Sequence, residues 1–414
     1  VSLRGTDVYY QISEGVTFED NLIETNKYGY VAAYATQLGI WDKEKLRFDR
    51  QEWVPELNAV AYLYSKSGDA KVTKAALSTD KFLVGFVPHT DFPVIADVPS
   101  LVQHHYSVLG ITGCGKTTYE MDLIEKKLEC GIKVLCFDIT GDYAVTFAEK
   151  GWSCTPFLSP EQYKKLSNEI TNVELLNASK PYYRNKGAIE ASEGEIARVL
   201  RECVTSFLSG NQKLFLIEIE ELANVTNTHD FFFRVLNQLF AYKKSTANDD
   251  LVSIVFEEAH TIIPEKSAST VDYWQADRFV GKISQITLQG RKYRIGFTTV
   301  TQRTANVAKT ILNQCNTVFS FACFDRTAIE FLANYYGEEY AKTLPNLGAY
   351  QVLAAGKAVN SDLPMIAQLP AKDKDDLVDI LKARREFKKS TPAEAESPVE
   401  GTSPASGEDD DLPF

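Results

Sequence analysis

Nine residues constrain this chain more than any others: Gly110-Ile111-Thr112-Gly113-Cys114-Gly115-Lys116-Thr117-Thr118, a complete GxxxxGK[ST] phosphate-binding loop. The short apolar run Tyr106-Ser107-Val108-Leu109 predicts a buried strand before it, and an amphipathic pattern over Thr117–Glu129 predicts a helix after it. In that setting the glycines let several backbone N–H groups converge on one phosphate, and the helix N-terminus adds partial positive charge. The binding set is Gly110, Thr112, Gly113, Cys114, Gly115, Lys116, Thr117 and Thr118. Lys116 reaches the β- and γ-phosphates, and the Thr117 hydroxyl is placed to coordinate Mg²⁺. The expected ligand is a nucleoside triphosphate, ATP with Mg²⁺.

The strand–loop–helix unit also sets the fold class. Lys133–Asp138, Leu214–Ile219, Leu251–Phe256, Gly296–Val300 and Thr317–Phe321 are further apolar strands, with helical runs at Asp230–Lys243 and Ala276–Leu288. With the phosphate loop, alternation of this kind predicts an α/β P-loop NTPase with a parallel sheet covered on both faces. Residues 101–385 form this expected ATPase domain, with a mainly helical insertion near 144–210. Residues 1–100 are β-rich, with runs at Asp7–Ile12, Tyr30–Tyr34, Ala59–Tyr64 and Phe82–Val87, and are expected to form an N-terminal domain. From 386 to 414 the chain turns to Pro, Ser, Glu and Ala without apolar periodicity, which predicts disorder.

A second constellation lies about 140 residues beyond the loop. Leu251–Phe256 ends in Glu257-Glu258-Ala259-His260, an apolar strand closing on two acids beside the expected phosphate site. Glu257 is assigned to the Mg²⁺ shell and Glu258 to the attacking water. The strand Gly296–Val300 leads into Thr301-Gln302-Arg303, where an amide can sense the γ-phosphate; a plain turn residue is the other reading of Gln302. Just upstream, Gln289-Gly290-Arg291-Lys292-Tyr293-Arg294 offers Arg291 to stabilise charge in phosphoryl transfer, or merely decorates a helix C-terminus with cations. Lys116, Glu258, Gln302 and Arg291 are the candidate catalytic residues.

Composition narrows the setting. No apolar run reaches the length of a membrane span and no signal-peptide pattern opens the chain, so a cytoplasmic, membrane-free protein is expected. The seven cysteines form no CxxC pair and read as reduced thiols, which argues against zinc. Net charge is −12, but residues 391–414 hold seven acidic groups and no basic one, so the rest carries only −5. That balance neither supports nor excludes DNA as a partner.

Taken in order, these motifs resemble the HerA branch of the FtsK–HerA ATPases. The resemblance rests on Phe86–Val94 with His105–Gly110, Asp138-Ile139-Thr140-Gly141-Asp142-Tyr143, Glu257–His260, Gly290–Tyr293 and Thr301–Arg303, and spans roughly 80–370. It implies an N-terminal β-barrel-like domain over residues 1–100, and a homohexameric ring that hydrolyses ATP at subunit interfaces, with Arg291 acting in trans, and drives double-stranded DNA through its pore as a translocase or helicase. It also implies a nuclease or effector partner, in end resection or antiviral defence. Arg184 and Lys186 are candidate DNA contacts, although an exposed polar loop explains them equally well. Two other readings use the same site: an ATP-gated scaffold that activates a partner with little translocation, and a conjugation or secretion motor of the VirB4/VirD4 kind. The tip Asp409-Asp410-Asp411-Leu412-Pro413-Phe414 resembles the acidic tip of bacterial single-stranded-DNA-binding proteins, which docks partner pockets. Nucleic-acid mimicry and a solubilising tail are the alternatives there.

Overall fold

The computed structural model describes residues 1–3, 5–19, 29–52, 55–56, 59–65, 77–138, 141, 143–178, 185–218, 225–246, 248–265 and 273–370. The expected disorder of 386–414, the acidic tip and Arg184 lie outside the described residues, as do Ile139, Thr140 and Asp142 of the Asp138–Tyr143 motif.

Strands β1 (Ser2–Leu3) and β2 (Thr6–Asp7) make a small antiparallel ladder, and β3 (Tyr9–Glu19), β4 (Gly29–Asp42) and β5 (Arg47–Asp49) make a three-stranded antiparallel sheet. Then follow β6 (Lys81–Phe86), β7 (Pro93–Asp97), α1 (Val98–Gln103), β8 (Tyr106–Leu109), α2 (Lys116–Glu129), β9 (Lys133–Asp138), α3 (Tyr143–Glu149) and β10 (Thr155–Pro156). Next come α4 (Pro160–Ala178), α5 (Lys186–Ser209), β11 (Leu214–Glu218), α6 (Val225–Thr246), β12 (Val252–Phe256), α7 (Ala259–Ile262), α8 (Tyr273–Gly290) and β13 (Ile295–Thr301). The described chain closes with α9 (Lys309–Leu312), β14 (Thr317–Ser320), α10 (Arg326–Tyr336), α11 (Glu338–Ala341), β15 (Gln351–Gly356) and β16 (Met365–Gln368).

One sheet of eleven strands organises the molecule, in the order β10-β11-β9-β12-β13-β8-β14-β15-β16-β6-β7. Its pairings are parallel from β10 to β14 and antiparallel from there to β7. The parallel strands are buried on both faces, which is why they read as continuous apolar runs. Alternation along β9 shows the two layers. Val134 and Cys136 pack with Leu101, Leu123, Ile124 and Phe147, under α1, α2 and α3. Leu135 and Phe137 pack with Leu166, Ile196, Phe207 and Phe232, under α4, α5 and α6.

Three features depart from or add to the sequence reading. β6 and β7, from the region read as 1–100, extend the ATPase sheet through β16. The three-stranded sheet is joined to them by an aromatic cluster in which the rings of Tyr9, Trp41, Phe48 and Tyr64 all meet Phe92. Ala59–Tyr64, expected to be a strand, is not one. Its β-prone side chains meet no ladder partner among the described residues, and Val60, Tyr62 and Leu63 stand exposed.

Candidate nucleotide site

Parallel register brings the carboxyl ends of the central strands to one edge, where ligands bind in open α/β sheets. Phe256 of β12 lies beside Phe137 of β9 and Thr299 of β13, Thr301 lies beside Leu109 of β8, and Leu109 lies beside Ser320 of β14. The residues that follow these ends are Glu257, Gln302, Gly110 and Phe321. β12 is not adjacent to β8. β13 lies between them, so Gln302 is interposed between the two acids and the phosphate loop.

The loop runs from β8 into α2, and its backbone needs glycine at two places in particular. Gly110 has φ +145°, and a Cβ there would sit 2.6 Å from Cβ of Phe321. Gly115 has φ +102° and caps α2. Thr112 and Gly113 are exposed at the loop crest, Thr117 and Thr118 occupy the first turn of α2, and Lys116 is buried. Lys116 Nζ donates to the Ile111 carbonyl at 2.6 Å and lies 3.9 Å from the Cys114 Sγ. Burial lowers its pKa, against the opposing charges of Cys114, Glu258 and Glu257. The Cys114 thiol donates to the Ile111 carbonyl at 2.8 Å.

The two acids differ sharply. Glu257 is buried; it accepts from the Thr117 hydroxyl at 3.3 Å and from the Tyr143 hydroxyl at 2.6 Å. Burial pushes its carboxyl up to about 8, with the negative charges of Glu258, Asp138 and Glu120 adding. Glu258 has a left-handed backbone, φ +46°, at the start of α7. Gln302 Nε2 donates to its Oε1, and its Oε2 lies 3.2 Å from Nδ1 of His260. Burial pushes the Glu258 carboxyl up, but the contacts with His260 and Gln302 and the charge of Lys116 outweigh it, so its pKa is lowered. Gln302 also meets the Thr112 hydroxyl through Oε1, which makes a continuous line from the loop crest through Gln302 to Glu258. Hard oxygen donors from Thr117 and Glu257 suit Mg²⁺ rather than a softer ion.

Arg291 lies elsewhere. It opens a short 3-10 turn, Arg291–Tyr293, ahead of β13, and is exposed. The seven residues of β13 separate it from Gln302 by about 20 Å of strand. It sits by the opposite edge of the sheet, where burial and then the charges of His104 and Arg291 hold His105 down at about 4. Within one chain, Arg291 is not brought to the phosphate loop.

Several contributors were not singled out from sequence. Tyr143 orients Glu257, and the Asp138 carboxylate holds the intervening turn by accepting from the Gly141 and Tyr143 amides, both at 3.0 Å. His260 stands between Glu258 and the Thr301 hydroxyl. Beneath the loop, the Tyr106 hydroxyl donates to Glu120 at 2.8 Å and Lys127 Nζ donates to Glu120 at 3.0 Å, all three fully buried. That triad ties the loop's strand to its helix. Its signal was available: Glu120 and Lys127 fall on the same face of α2 as Leu123 and Ile124, where apolar residues belong.

The central domain of the helicase HerA matches residues 82–337, more than half of the 414. The chain belongs to this HerA family. A probable helicase of Methanocaldococcus jannaschii is 26% identical over 172 residues, covering 39% of this chain and 30% of that protein. A probable DNA double-strand break repair helicase HerA of the same organism is 29% identical over 121 residues, covering 28% and 22%. The chain thus spans less than a third of the length of either relative. VirB4 of Thermoanaerobacter pseudethanolicus superposes with a TM-score of 0.50 at 11% identity, over 71% of this chain and 98% of that one, a likeness of fold. The HerA-family chain has the P-loop NTPase fold. Among its described residues, no helix is long and apolar enough to cross a membrane.

Proposed function

We propose that this HerA-family ATPase is a motor that acts on double-stranded DNA as a homohexameric ring, with Mg·ATP at each subunit interface. The observation that carries the reading is the split of the site's charges across one sheet. Lys116, Glu257, Glu258 and Gln302 gather at the carboxyl edge, whereas Arg291 stands at the amino edge. A guanidinium so placed serves phosphoryl transfer when a neighbour presents it, and head-to-tail packing that repeats this contact closes into a ring. Double-stranded DNA as substrate is suggested by the name of the M. jannaschii break-repair relative.

In this reading Thr117 and Glu257 hold Mg²⁺, which supplies charge neutralisation on the phosphates. Lys116 binds the β- and γ-phosphates, turning from the Ile111 carbonyl. Glu258, kept ionised and flanked by His260, takes the proton of the attacking water. Gln302, bonded to both Thr112 and Glu258, reports on the γ-phosphate and aligns that water.

The test is ATP hydrolysis by the purified protein with and without linear duplex DNA. Strong stimulation is expected. Hydrolysis that duplex DNA leaves unchanged counts against the motor and favours the scaffold that holds a nuclease or effector partner.

A further inference from the structure

The sheet order tells which way a bound nucleotide runs. Glu257, Glu258 and Gln302 all lie on the β13–β12 flank of β8, so the γ-phosphate and its cation belong on that side. The nucleoside must then leave on the other flank, over β14 and β15. The residue waiting there is Tyr350, at the entry to β15. A Cβ on Gly115 would sit 3.3 Å from Cδ1 and 3.5 Å from Cε1 of its ring, so the ring lies against the last turn of the phosphate loop.

Two observations mark Tyr350 as more than loop packing. Tyr350 is 41% exposed, although its ring lies against Gly115 of the loop. Its backbone is left-handed, φ +58°, a conformation that costs a non-glycine residue about 1–2 kcal/mol. The surroundings enforce that conformation: Leu369 N donates to the Tyr350 carbonyl at 2.9 Å, and the Gln368 amide reaches the carbonyls of Ala349 and Tyr350 at 3.4 and 3.3 Å. Strain held in place by a hydrogen-bonded frame at the rim of a ligand site is characteristic of positioning for a ligand. Glu258, on the γ-phosphate flank, is another non-glycine residue with positive φ, so the loop is bracketed by two such residues.

We infer that Tyr350 is the base-stacking residue of the site, its ring forming one wall for the nucleobase of ATP. A stacked aromatic pair needs only a flat apolar face held at the right height, which the Gly115 contact sets. The inference rests on the ATP-site reading above and adds to it the orientation of the nucleotide and the residue that grips its base.

Calorimetric titration of the 414-residue chain, as wild type, Tyr350→Ala and Tyr350→Phe, with Mg·ATP and separately with Mg·tripolyphosphate tests it. Loss of the ring is expected to weaken ATP binding by about tenfold or more while leaving tripolyphosphate unchanged, and Tyr350→Phe is expected to match wild type for both. Unchanged ATP affinity in Tyr350→Ala overturns the inference. So does an equal loss for both ligands, which would make Tyr350 a prop for the loop. A wild-type protein that binds neither ligand overturns the nucleotide-site reading itself, and the inference with it.

Discussion

Replacing Lys127 by Met tests whether the phosphate loop stands on the buried charge pair beneath it. Both partners are fully buried, 3.0 Å apart, and the Tyr106 hydroxyl is the other donor to Glu120. Lys127→Met keeps the volume of the stem but strands a carboxylate in the core. Breaking a buried pair from one side costs about 3–5 kcal/mol. Unfolding entropy of roughly 2 cal/mol/K per residue, over a compact unit spanning Val1–Lys372, converts that to a fall of about 4–7 °C in Tm.

The pH dependence gives the experiment its discrimination. Burial already raises the Glu120 pKa, opposed by Lys127 and Tyr106, and removing Lys127 raises it further. A carboxyl whose folded pKa exceeds its unfolded one stabilises by binding a proton, an advantage lost as pH rises from the unfolded value toward the folded one. The variant's deficit relative to wild type is therefore expected to widen as pH rises past the raised Glu120 pKa of the wild type, at up to about 1.4 kcal/mol per pH unit. Thermal melts followed by circular dichroism at several pH values read this directly. Glu120→Leu combined with Lys127→Met should recover much of the loss. A Lys127→Met protein that melts like wild type at every pH, or whose deficit does not grow as pH rises, refutes the argument.

Two further outcomes concern the chemistry. Glu258→Gln should keep ATP affinity and lose about 10²- to 10⁴-fold in turnover, measured by nucleotide binding alongside phosphate release; normal hydrolysis would remove Glu258 from its role. Mixing Arg291→Ala subunits with Lys116→Ala subunits, each inactive alone, should restore a fraction of hydrolysis because some interfaces then pair an intact loop with an intact Arg291. No restoration at any ratio would end the trans assignment.

The parts of the site that were legible in sequence are those encoded within one segment. Tyr106–Leu109 and Lys133–Asp138 have the bounds expected of them, since a strand buried on both faces is an apolar run with polar or glycine ends. The phosphate loop is similarly local. What escaped depends on pairings between distant segments. No local pattern reveals that β6, β7 and β16 lengthen the ATPase sheet, because antiparallel partners are chosen by the assembled sheet edge. Ala59–Tyr64 is the converse, strand composition with no strand pairing among the described residues. The contact of Tyr350 with Gly115 joins residues more than two hundred positions apart and becomes visible only once β15 is seen two strands from β8.

β13 has a position that explains why its flanking residues read ambiguously. Seen as sequence, Gln302 is a turn amide and Arg291 a cation at a helix end. Seen in the sheet, one buried strand, Ile295–Thr301, carries them at its two ends, and its middle is held on both sides by β12 and β8. Phe297 N donates to Nδ1 of His105 at 3.1 Å, and a Cβ on Gly296 would overlap the Val102 carbonyl at 1.9 Å, so the amino end of the strand is fixed against the segment that enters β8.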